Sequence, residues 1–333
     1  MNATPHHILV TGGAGFIGSH LVEQLLAHGA RVTVVDDLST GDEANLEHAK
    51  SMAGERLQFI HATVSDAFAQ STIPRCDEIY HLAAAVGVRL IVERAGQSIE
   101  TNVLETSAVL RWALRDGATL LVASSSEVYG KGVRVPFVES DDVVFGPTTS
   151  LRWSYGYSKA IDEFLTLAAV AQSKLRAVIV RFFNTVGPRQ KGEWGMVLPR
   201  FIQAALAGTP LEVHGDGSQQ RCFCDVRDVA PALLQVLRSA ACMGLVLNMG
   251  SDEMISMQKL AERVIRVTGS TSRIHNVSYE QVFGKGFEDL KVRQPNLQKI
   301  RGAIGFAPVI SLDTTIADIA ASLRVAHAGE RAA

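Results

Sequence analysis

The chain has 333 residues, and 32 lysines and arginines against 34 aspartates and glutamates give it a formal net charge of −2 at pH 7. This near balance provides no basic surface of the kind that binds nucleic acid or anionic membranes. The content of 47 % hydrophobic and 20 % charged residues excludes a disordered chain. No apolar run is long enough to cross a bilayer, no secretory signal is visible, and four cysteines do not form a disulfide framework, so we expect a cytoplasmic protein.

Short β-branched runs alternate with helix-length segments along most of the chain. Strands are predicted at residues 8–10, 32–35, 57–60, 78–82, 120–124, 177–182 and 245–249. Helices are predicted between the first two strands and at 99–115, 155–172 and 257–267. Strands that are separated by helices need crossover connections, so the pattern predicts a mostly parallel sheet that is covered on both faces. After about residue 184 glycine and proline become frequent, which indicates a second, smaller lobe.

A glycine-rich loop joins the first predicted strand to the first helix. Glycines at positions 12, 15 and 18 allow a tight turn and a close approach of the backbone to a pyrophosphate. The N-terminus of the helix then offers free N–H groups to the phosphates. Asp36 ends the second strand, where a carboxylate accepts the hydroxyls of an adenosine ribose and repels a 2′-phosphate. The segment therefore predicts a dinucleotide site that favours NAD over NADP.

Tyr155 and Lys159 lie one turn apart on a predicted helix. A tyrosine pKa of about 10 is too high for a base near neutrality. The charge of Lys159 and an oxidised nicotinamide ring would both lower it, so that Tyr155 could take a hydroxyl proton while hydride leaves the same carbon. Residues 124–127 end a predicted strand, at the edge of a parallel sheet where ligands bind.

Together these residues resemble the extended short-chain dehydrogenase/reductases, and more narrowly the nucleotide-sugar epimerases, dehydratases and decarboxylases. The resemblance covers Ile8 to about Phe306 and rests on the glycine loop, Asp36, 81–84, Asn102, 124–127, Tyr155, Lys159 and 181–184. It implies an α/β fold with a Rossmann doubly wound parallel sheet and a smaller C-terminal α/β substrate lobe. The NAD-binding domain would comprise 1–184 with a return segment at about 225–254, and the nucleotide-sugar lobe 185–224 and 255–325. A homodimer joined through a four-helix bundle is also implied.

The resemblance assigns roles to individual positions. Tyr155 is the base, Lys159 holds the nicotinamide ribose, and Ser125 polarises the sugar oxygen. Cofactor contacts are expected from Gly12, Gly15, Phe16, Ile17, Gly18, Asp36, Leu38, Ser39, Val64, Leu82, Ala83, Ala84, Asn102, Tyr155, Lys159 and Phe182. Substrate contacts are expected from Arg152, Asn184, Val197, Arg200, Val213 and Arg221, the last as the arginine that neutralises a diphosphate.

Two positions depart from the pattern of the family. Thr63 stands where an aspartate near the adenine is expected, which loosens the assignment of the adenine contacts. Glu105 stands where a glycine is expected, and we expect this change to affect packing only.

The residues around Glu127 bear on which reaction follows oxidation of the sugar at C4. Dehydratases carry Asp-Glu before Val-Tyr where this chain has Ser126 and Glu127, and simple 4-epimerases commonly lack the glutamate. The nucleotide-sugar acid decarboxylases carry Ser-Glu-Val-Tyr-Gly, an arginine three residues before the catalytic tyrosine and an Arg-Xaa-Pro segment. Ser126 to Gly130, Arg152 and Arg293 match these three features.

The resemblance is therefore greatest to the UDP-glucuronate decarboxylases. Oxidation of C4 in a glucuronate makes a β-keto acid, which loses carbon dioxide to an enolate that needs electrostatic stabilisation and a proton. The product would be UDP-xylose or its 4-keto precursor, and the catalytic residues would be Ser125, Ser126, Glu127, Tyr155, Lys159 and Arg293. A UDP-sugar 4-epimerase and a catalytically inactive NAD-binding sensor remain as alternatives. No metal site, nucleic acid or membrane partner is expected.

Overall fold

The computed structural model describes residues 6–70, 73–85, 87, 93–192, 196–283 and 290–330. Its strands are β1 His7–Thr11, β2 Arg31–Asp36, β3 Leu57–His61, β4 Glu78–His81, β5 Thr119–Ser125, β6 Ala177–Phe182, β7 Thr185–Val186, β8 Leu211–His214, β9 Gln220–Cys222, β10 Cys224–Asp225, β11 Val246–Met249, β12 Met254–Ser256, β13 Ile274–Val277 and β14 Val292–Arg293. Its helices are α1 Phe16–Ala27, α2 Glu47–Ala53, α3 Val64–Gln70, α4 Ala95–Asp116, α5 Ser154–Gln172, α6 Val197–Ala207, α7 Val226–Arg238, α8 Met257–Thr268, α9 Tyr279–Phe283, α10 Gln298–Ile304 and α11 Leu312–Glu330.

A seven-stranded parallel sheet forms the centre of the molecule. Its strand order is β11-β6-β5-β4-β1-β2-β3, so the chain runs outward from β1 in one direction, returns, and runs outward in the other. Every neighbouring pair is parallel. Apolar clusters cover both faces, one containing α1 and α7 and the other α4 and part of α5. The predicted Rossmann doubly wound fold is confirmed, and the late strand β11 joins its edge beside β6.

Three small sheets follow the central one in the second half of the chain. They are β7 with β10, β8 with β13, and β9 between β12 and β14. A third apolar cluster lies among α6, α8 and α11, which are packed against one another. The β14–β9 pairing matters for function because it carries Arg293 next to Arg221, although 72 residues separate them in the sequence.

The strands predicted from β-branched runs lie within two residues of their predicted bounds. The helix predicted to begin at residue 99 begins earlier, at Ala95, and the helix predicted at 257–267 has the expected Ser256 cap, whose hydroxyl accepts the Lys259 N–H at 3.2 Å. Cys222 and Cys224 belong to two short strands rather than one, and all four cysteines are free and buried. Within the described ranges, no helix has both the length and the apolarity that a membrane span requires.

Candidate active site

A cavity of about 1160 Å³ opens along the carboxyl edge of the central sheet and extends under the second half of the chain. We divide the cavity into two regions according to the residues that line them. The cofactor region contains Gly12, Gly15, Phe16, Asp36, Thr63, Val64 and Glu105. The reaction region contains Ser125, Ser126, Glu127, Arg152, Tyr155, Lys159 and Arg293.

The glycine loop of the cofactor region has no room for side chains on its inner face. Gly12 has a φ of +71°, and a Cβ there would lie 2.6 Å from the backbone nitrogen of Ala83. A Cβ on Gly18 would lie 2.2 Å from the Gly12 carbonyl oxygen. Gly15 caps α1 without any side-chain hydrogen bond, so the N–H groups of the first helical turn remain for a ligand. This cradle fits a pyrophosphate.

Asp36 lies at the end of β2, beside the glycine loop. Its Oδ2 accepts the Ala14 N–H and its Oδ1 accepts the Leu38 N–H, both at 2.9 Å. Burial raises the pKa of Asp36, and these two N–H donors oppose the rise. Each carboxylate oxygen keeps a further lone pair, so the geometry fits the two ribose hydroxyls of an adenosine.

Tyr155 lies in the first turn of α5 and is buried in the reaction region. Burial, and then the negative charges of Glu127 and Asp162, raise its pKa above the usual value, while a hydrogen bond with Ser125 opposes the rise. The Ser125 hydroxyl oxygen accepts the backbone N–H of Glu127 at 3.2 Å, so its proton can be donated toward a ligand. The expected lowering of the tyrosine pKa is thus absent in the protein alone.

The charge of Lys159 is balanced by a neighbouring carboxylate. Lys159 Nζ lies 3.0 Å from Asp162 Oδ2, and the two side chains are only 2 % and 0 % exposed. Behind this pair, the ring of His81 lies between the hydroxyls of Thr11 and Thr106 at 2.8 and 3.1 Å. Burial lowers the pKa of His81 to about 3, so this ring is neutral. The Asp162 pair explains why Lys159 does not lower the pKa of Tyr155.

Glu127 is clamped between two arginines from distant parts of the chain. Arg152 donates to both of its carboxylate oxygens at 2.7 and 3.1 Å, and Arg293 donates to Oε1 at 2.7 Å. Burial opposes ionisation, but the charges of Arg293, Arg152 and Arg221 outweigh it and lower the pKa of Glu127 to about 2. Glu127 is therefore a carboxylate near neutrality, and the Nε of Arg293 has no hydrogen-bond partner among the described residues.

Another buried ion pair ties β6 to α5 behind the reaction region, and a hydrogen bond joins the same carboxylate to β5. Glu163 binds the Arg181 guanidinium at 2.9 and 2.6 Å and also accepts the Ser124 hydroxyl at 2.5 Å. Arg181 lies 4.7 Å from the centre of the Tyr129 ring. This network fixes the position of α5, and hence of Tyr155, relative to the end of β5.

The substrate end of the cavity is formed by the second half of the chain. Arg221 is buried on β9 and donates to the Gln220 carbonyl at 2.8 Å. Arg200 Nη2 lies 3.3 Å from His214 Nε2 and 3.9 Å from a Glu212 oxygen. Asn184 donates to the Cys222 carbonyl at 2.8 Å, which joins the end of the sheet to this lobe.

Most residues predicted to form the site line the cavity, but three do not. Leu38 packs against the apolar core and supplies only its backbone N–H to Asp36. Asn102 is buried, accepts the Ala85 N–H at 2.9 Å and donates to Ser158 at 3.0 Å, so it supports the loop after β4. The side chain of Val213 is fully buried in the core of the second lobe, so only the backbone of its strand could meet a ligand. The remaining predicted residues all border the cavity.

Sequence reasoning missed Asp162 and misjudged Glu105. Asp162 is three residues after Lys159, a spacing that places two side chains on one helix face and could have revealed the pair. Glu105 borders the cavity, and its Oε2 accepts the Ser65 N–H at 2.7 Å. The expectation that this residue affects packing only is therefore too narrow.

Comparison with known proteins adds a family to this geometry. Residues 8–250 match the model of the NAD dependent epimerase/dehydratase family. The chain is 39 % identical to a UDP-N-acetyl-alpha-D-glucosaminuronate decarboxylase of Bacillus cytotoxicus, over 91 % of this chain and 93 % of that protein. It is 33 % identical to UDP-glucuronic acid decarboxylase 1 of Xenopus tropicalis, over 92 % and 69 %. A dTDP-glucose 4,6-dehydratase of Streptomyces venezuelae, solved with NAD bound, superposes with a TM-score of 0.86 at 27 % identity, covering 97 % and 98 %.

Proposed function

Because the chain belongs to the NAD-dependent epimerase/dehydratase family, we propose that it oxidises a UDP-linked uronic acid at C4 and then removes its carboxyl group as carbon dioxide. The proposed substrate is UDP-glucuronate, and the product is UDP-xylose or its 4-keto precursor. The nucleotide would bind in the lobe formed by 185–224 and 255–325, with Arg221 on the diphosphate.

The charge arrangement around Glu127 is the observation that carries this proposal. Three guanidiniums, those of Arg152, Arg221 and Arg293, act on this one buried carboxylate. A buried guanidinium N–H without a hydrogen-bond partner is costly. The Nε of Arg293 is such a donor among the described residues, and a uronate supplies an acceptor as its own carboxylate, beside the diphosphate. A neutral hexose has no carboxylate to offer this donor.

The first half of the reaction uses groups that meet around Tyr155. NAD supplies a hydride acceptor at the nicotinamide when it is bound. The phenolate of Tyr155 takes the proton from the C4 hydroxyl, and Ser125 donates a hydrogen bond to the same oxygen. The positive charge of an oxidised nicotinamide would offset the carboxylates that raise the pKa of this tyrosine.

The second half breaks the bond between C5 and the carboxyl carbon. The pair of electrons from this bond enters the C4 ketone as an enolate while carbon dioxide leaves, and Ser125 and the protonated Tyr155 stabilise the enolate oxygen. The enolate then takes a proton at C5 from solvent, the one proton that decarboxylation of a carboxylate consumes overall. Glu127 is ionised and held by two arginines, so it orients Arg293 and the incoming carboxylate rather than acting as the proton donor. Return of hydride to C4 would yield the pentose.

The test is to incubate the purified protein with NAD and UDP-glucuronate and to follow products by mass spectrometry. The expected mass loss is about 44 units for UDP-xylose, which is carbon dioxide alone, and about 46 for the 4-keto precursor, which has also given up a hydride and a proton. Glu127→Gln is expected to remove most turnover because the arginines lose their shared anion. Glu78→Gln is the matched control, since Glu78 is also a buried carboxylate paired with an arginine, Arg238 at 3.0 Å and 40 % exposed, but lies outside the cavity lining.

Two other outcomes have specific support and would change the assignment. The first is loss of carbon dioxide from UDP-N-acetylglucosaminuronate but not from UDP-glucuronate. The 39 % identity to the Bacillus decarboxylase supports this outcome, which would replace the proposed sugar. An unchanged mass with a new sugar isomer would establish the 4-epimerase instead and leave Glu127 without its role. Full turnover in the Glu127→Gln variant would contradict the proposed charge arrangement.

We also propose that the protein is a homodimer that pairs through α4 and α5. These helices pack together, yet they expose large apolar side chains, among them Leu104 at 59 % and Phe164 at 72 %. Apolar side chains exposed on two packed helices favour burial against a second copy. Sedimentation should show a dimer that Phe164→Asp converts to a monomer. A wild-type monomer at micromolar concentration would contradict the proposal.

A further inference from the structure

The position of Glu105 relative to the cofactor region defines which part of a dinucleotide it meets. A pyrophosphate held by the glycine loop and a ribose held by Asp36 would direct the base from Asp36 toward β3, the next strand of the sheet. Val64, just after β3, lines this end of the cavity, and Glu105 reaches it from α4. The hydrogen bond from Ser65 N–H at 2.7 Å fixes the carboxylate there.

The adenine end contains few side-chain oxygens that could accept a hydrogen bond. The Thr63 hydroxyl donates to Asp66 at 2.8 Å and accepts the Asp66 N–H at 3.1 Å. Asp37 Oδ1 accepts both the N–H and the hydroxyl of Ser39, at 2.9 and 2.6 Å. Glu105 has the shielded position among these acceptors, since it is half-buried while Asp37 is exposed. Hydrogen bonds to a shielded carboxylate are stronger than those to a solvated one.

We propose that Glu105 accepts the exocyclic amine of the adenine and so selects NAD by its base. The first departure of this chain, the loss of an acidic side chain at Thr63, is then compensated in space by the carboxylate of Glu105 on α4. The inference concerns cofactor binding and does not depend on which sugar reaction follows.

The experiment compares NAD with nicotinamide hypoxanthine dinucleotide, in which a carbonyl oxygen replaces the amine. Dissociation constants are measured by calorimetric titration of the full chain after removal of bound nucleotide. The wild type should bind NAD more tightly by about tenfold to a hundredfold, because the carboxylate gains a donor in one ligand and faces an acceptor in the other. Hypoxanthine also carries a proton on N1, so only the change in this ratio between variants is attributed to Glu105.

Two substitutions of Glu105 and one control separate the possible results. Glu105→Ala should lower the ratio by about tenfold, mainly through weaker NAD binding. Glu105→Gln should favour the hypoxanthine ligand relative to wild type, because an amide can donate to the new carbonyl, and it keeps the size of the side chain. Asp37→Asn should leave the ratio unchanged.

Three results would overturn the proposal. The first is a wild-type ratio of the two dissociation constants near one. The second is an unchanged ratio in both Glu105 variants when these variants keep the wild-type melting temperature. The third is a ratio that falls in Asp37→Asn but not in the Glu105 variants. Because the readout is cofactor affinity, each result stands whether or not the protein proves to be a decarboxylase.

Discussion

The two regions of the cavity are built in opposite ways. The cofactor region is formed mainly by backbone groups. Its glycines allow close approach, the N–H groups of α1 are free to face a ligand, and two backbone N–H donors orient Asp36. In the reaction region, buried charged side chains dominate, and Glu127 meets Arg152 and Arg293 across 25 and 166 residues of sequence. The cofactor region is therefore built mainly from residues close together in sequence, whereas the reaction region forms only when distant segments of the chain fold together.

This difference determines how each region responds to substitution. The cofactor region is limited by space, so adding a single methyl group should damage it. The reaction region depends on charge balance and proton transfer. Removing one oxygen or one charge should therefore impair turnover even when the size of the side chain is unchanged. The two regions should therefore be separable by paired variants.

Tyr155→Phe is expected to have the largest effect and to act on the reaction region alone. Loss of the phenolic proton acceptor should reduce kcat by about 10²–10⁴-fold, the usual contribution of a positioned acid–base group. The dissociation constant of NAD should change little, because the ring remains in place. Steady-state kinetics and NAD titration check the two halves of this prediction. Residual turnover near the wild-type value would remove Tyr155 from the reaction.

The acid stability of the protein should report the Glu127 ion pairs. The pKa of Glu127 is about 2 in the folded protein and about 4.5 when it is unfolded, so its contribution to the free energy of unfolding is full above pH 4.5 and is lost as the pH falls toward 2. Between pH 5 and pH 3 the stability difference between wild type and Glu127→Gln should shrink by about 2 kcal/mol. Urea unfolding at several pH values measures it.

An exposed carboxylate provides the control for that measurement. Glu100→Gln should change the free energy of unfolding by less than about 0.5 kcal/mol, since Glu100 lies on the surface of α4. A Glu127 difference that stays constant from pH 5 to pH 3 would show that the arginines do not hold this carboxylate ionised.

Gly18→Ala should damage the cofactor region and leave the reaction groups in place. The new Cβ would lie 2.2 Å from the Gly12 carbonyl oxygen and 2.8 Å from the Gly13 Cα, both backbone atoms, so α1 must move away from the loop. We expect a loss of about 1–3 kcal/mol in stability and about tenfold in NAD affinity. Gly302→Ala is the control, because a Cβ there meets open space in α10 and should stabilise that helix. Unchanged NAD affinity in Gly18→Ala would contradict the proposal that the glycine loop holds the pyrophosphate.

The same contrast explains what the sequence could predict. The central strands follow from apolar, largely β-branched runs because all of them except the edge strand β3 are mostly buried. The glycine loop and Asp36 follow from spacing alone. The helices around Pro199 and Pro231 were not predicted individually, since proline breaks the expected pattern although α6 tolerates it in its first turn.

The link between Glu127 and Arg293 was accessible only through the resemblance, although Tyr155 and Lys159 followed from their spacing. No local pattern connects Glu127 with Arg293, because 166 residues separate them and β14, paired with β9, carries Arg293 into the site. Val213 lies on the predicted strand β8 with its side chain in the core, so its expected role at the substrate stays a prediction about the backbone of that strand. Glu105 departs from the family pattern in sequence, and only the structure shows that its carboxylate accepts the Ser65 N–H, 40 residues away, beside the cavity.

Asp162 lies where the two regions meet, and its neutralisation should give the smallest effect. Asp162→Asn keeps an acceptor for Lys159 but removes a negative charge that raises the pKa of Tyr155. With Glu127 still opposing ionisation, and with His81 neutral behind the lysine, the phenolate should form at lower pH. The acidic limb of the kcat/KM profile should move down by about one pH unit. An unmoved limb would mean that Asp162 is already protonated in the enzyme, and that Lys159 carries its charge without a counterion.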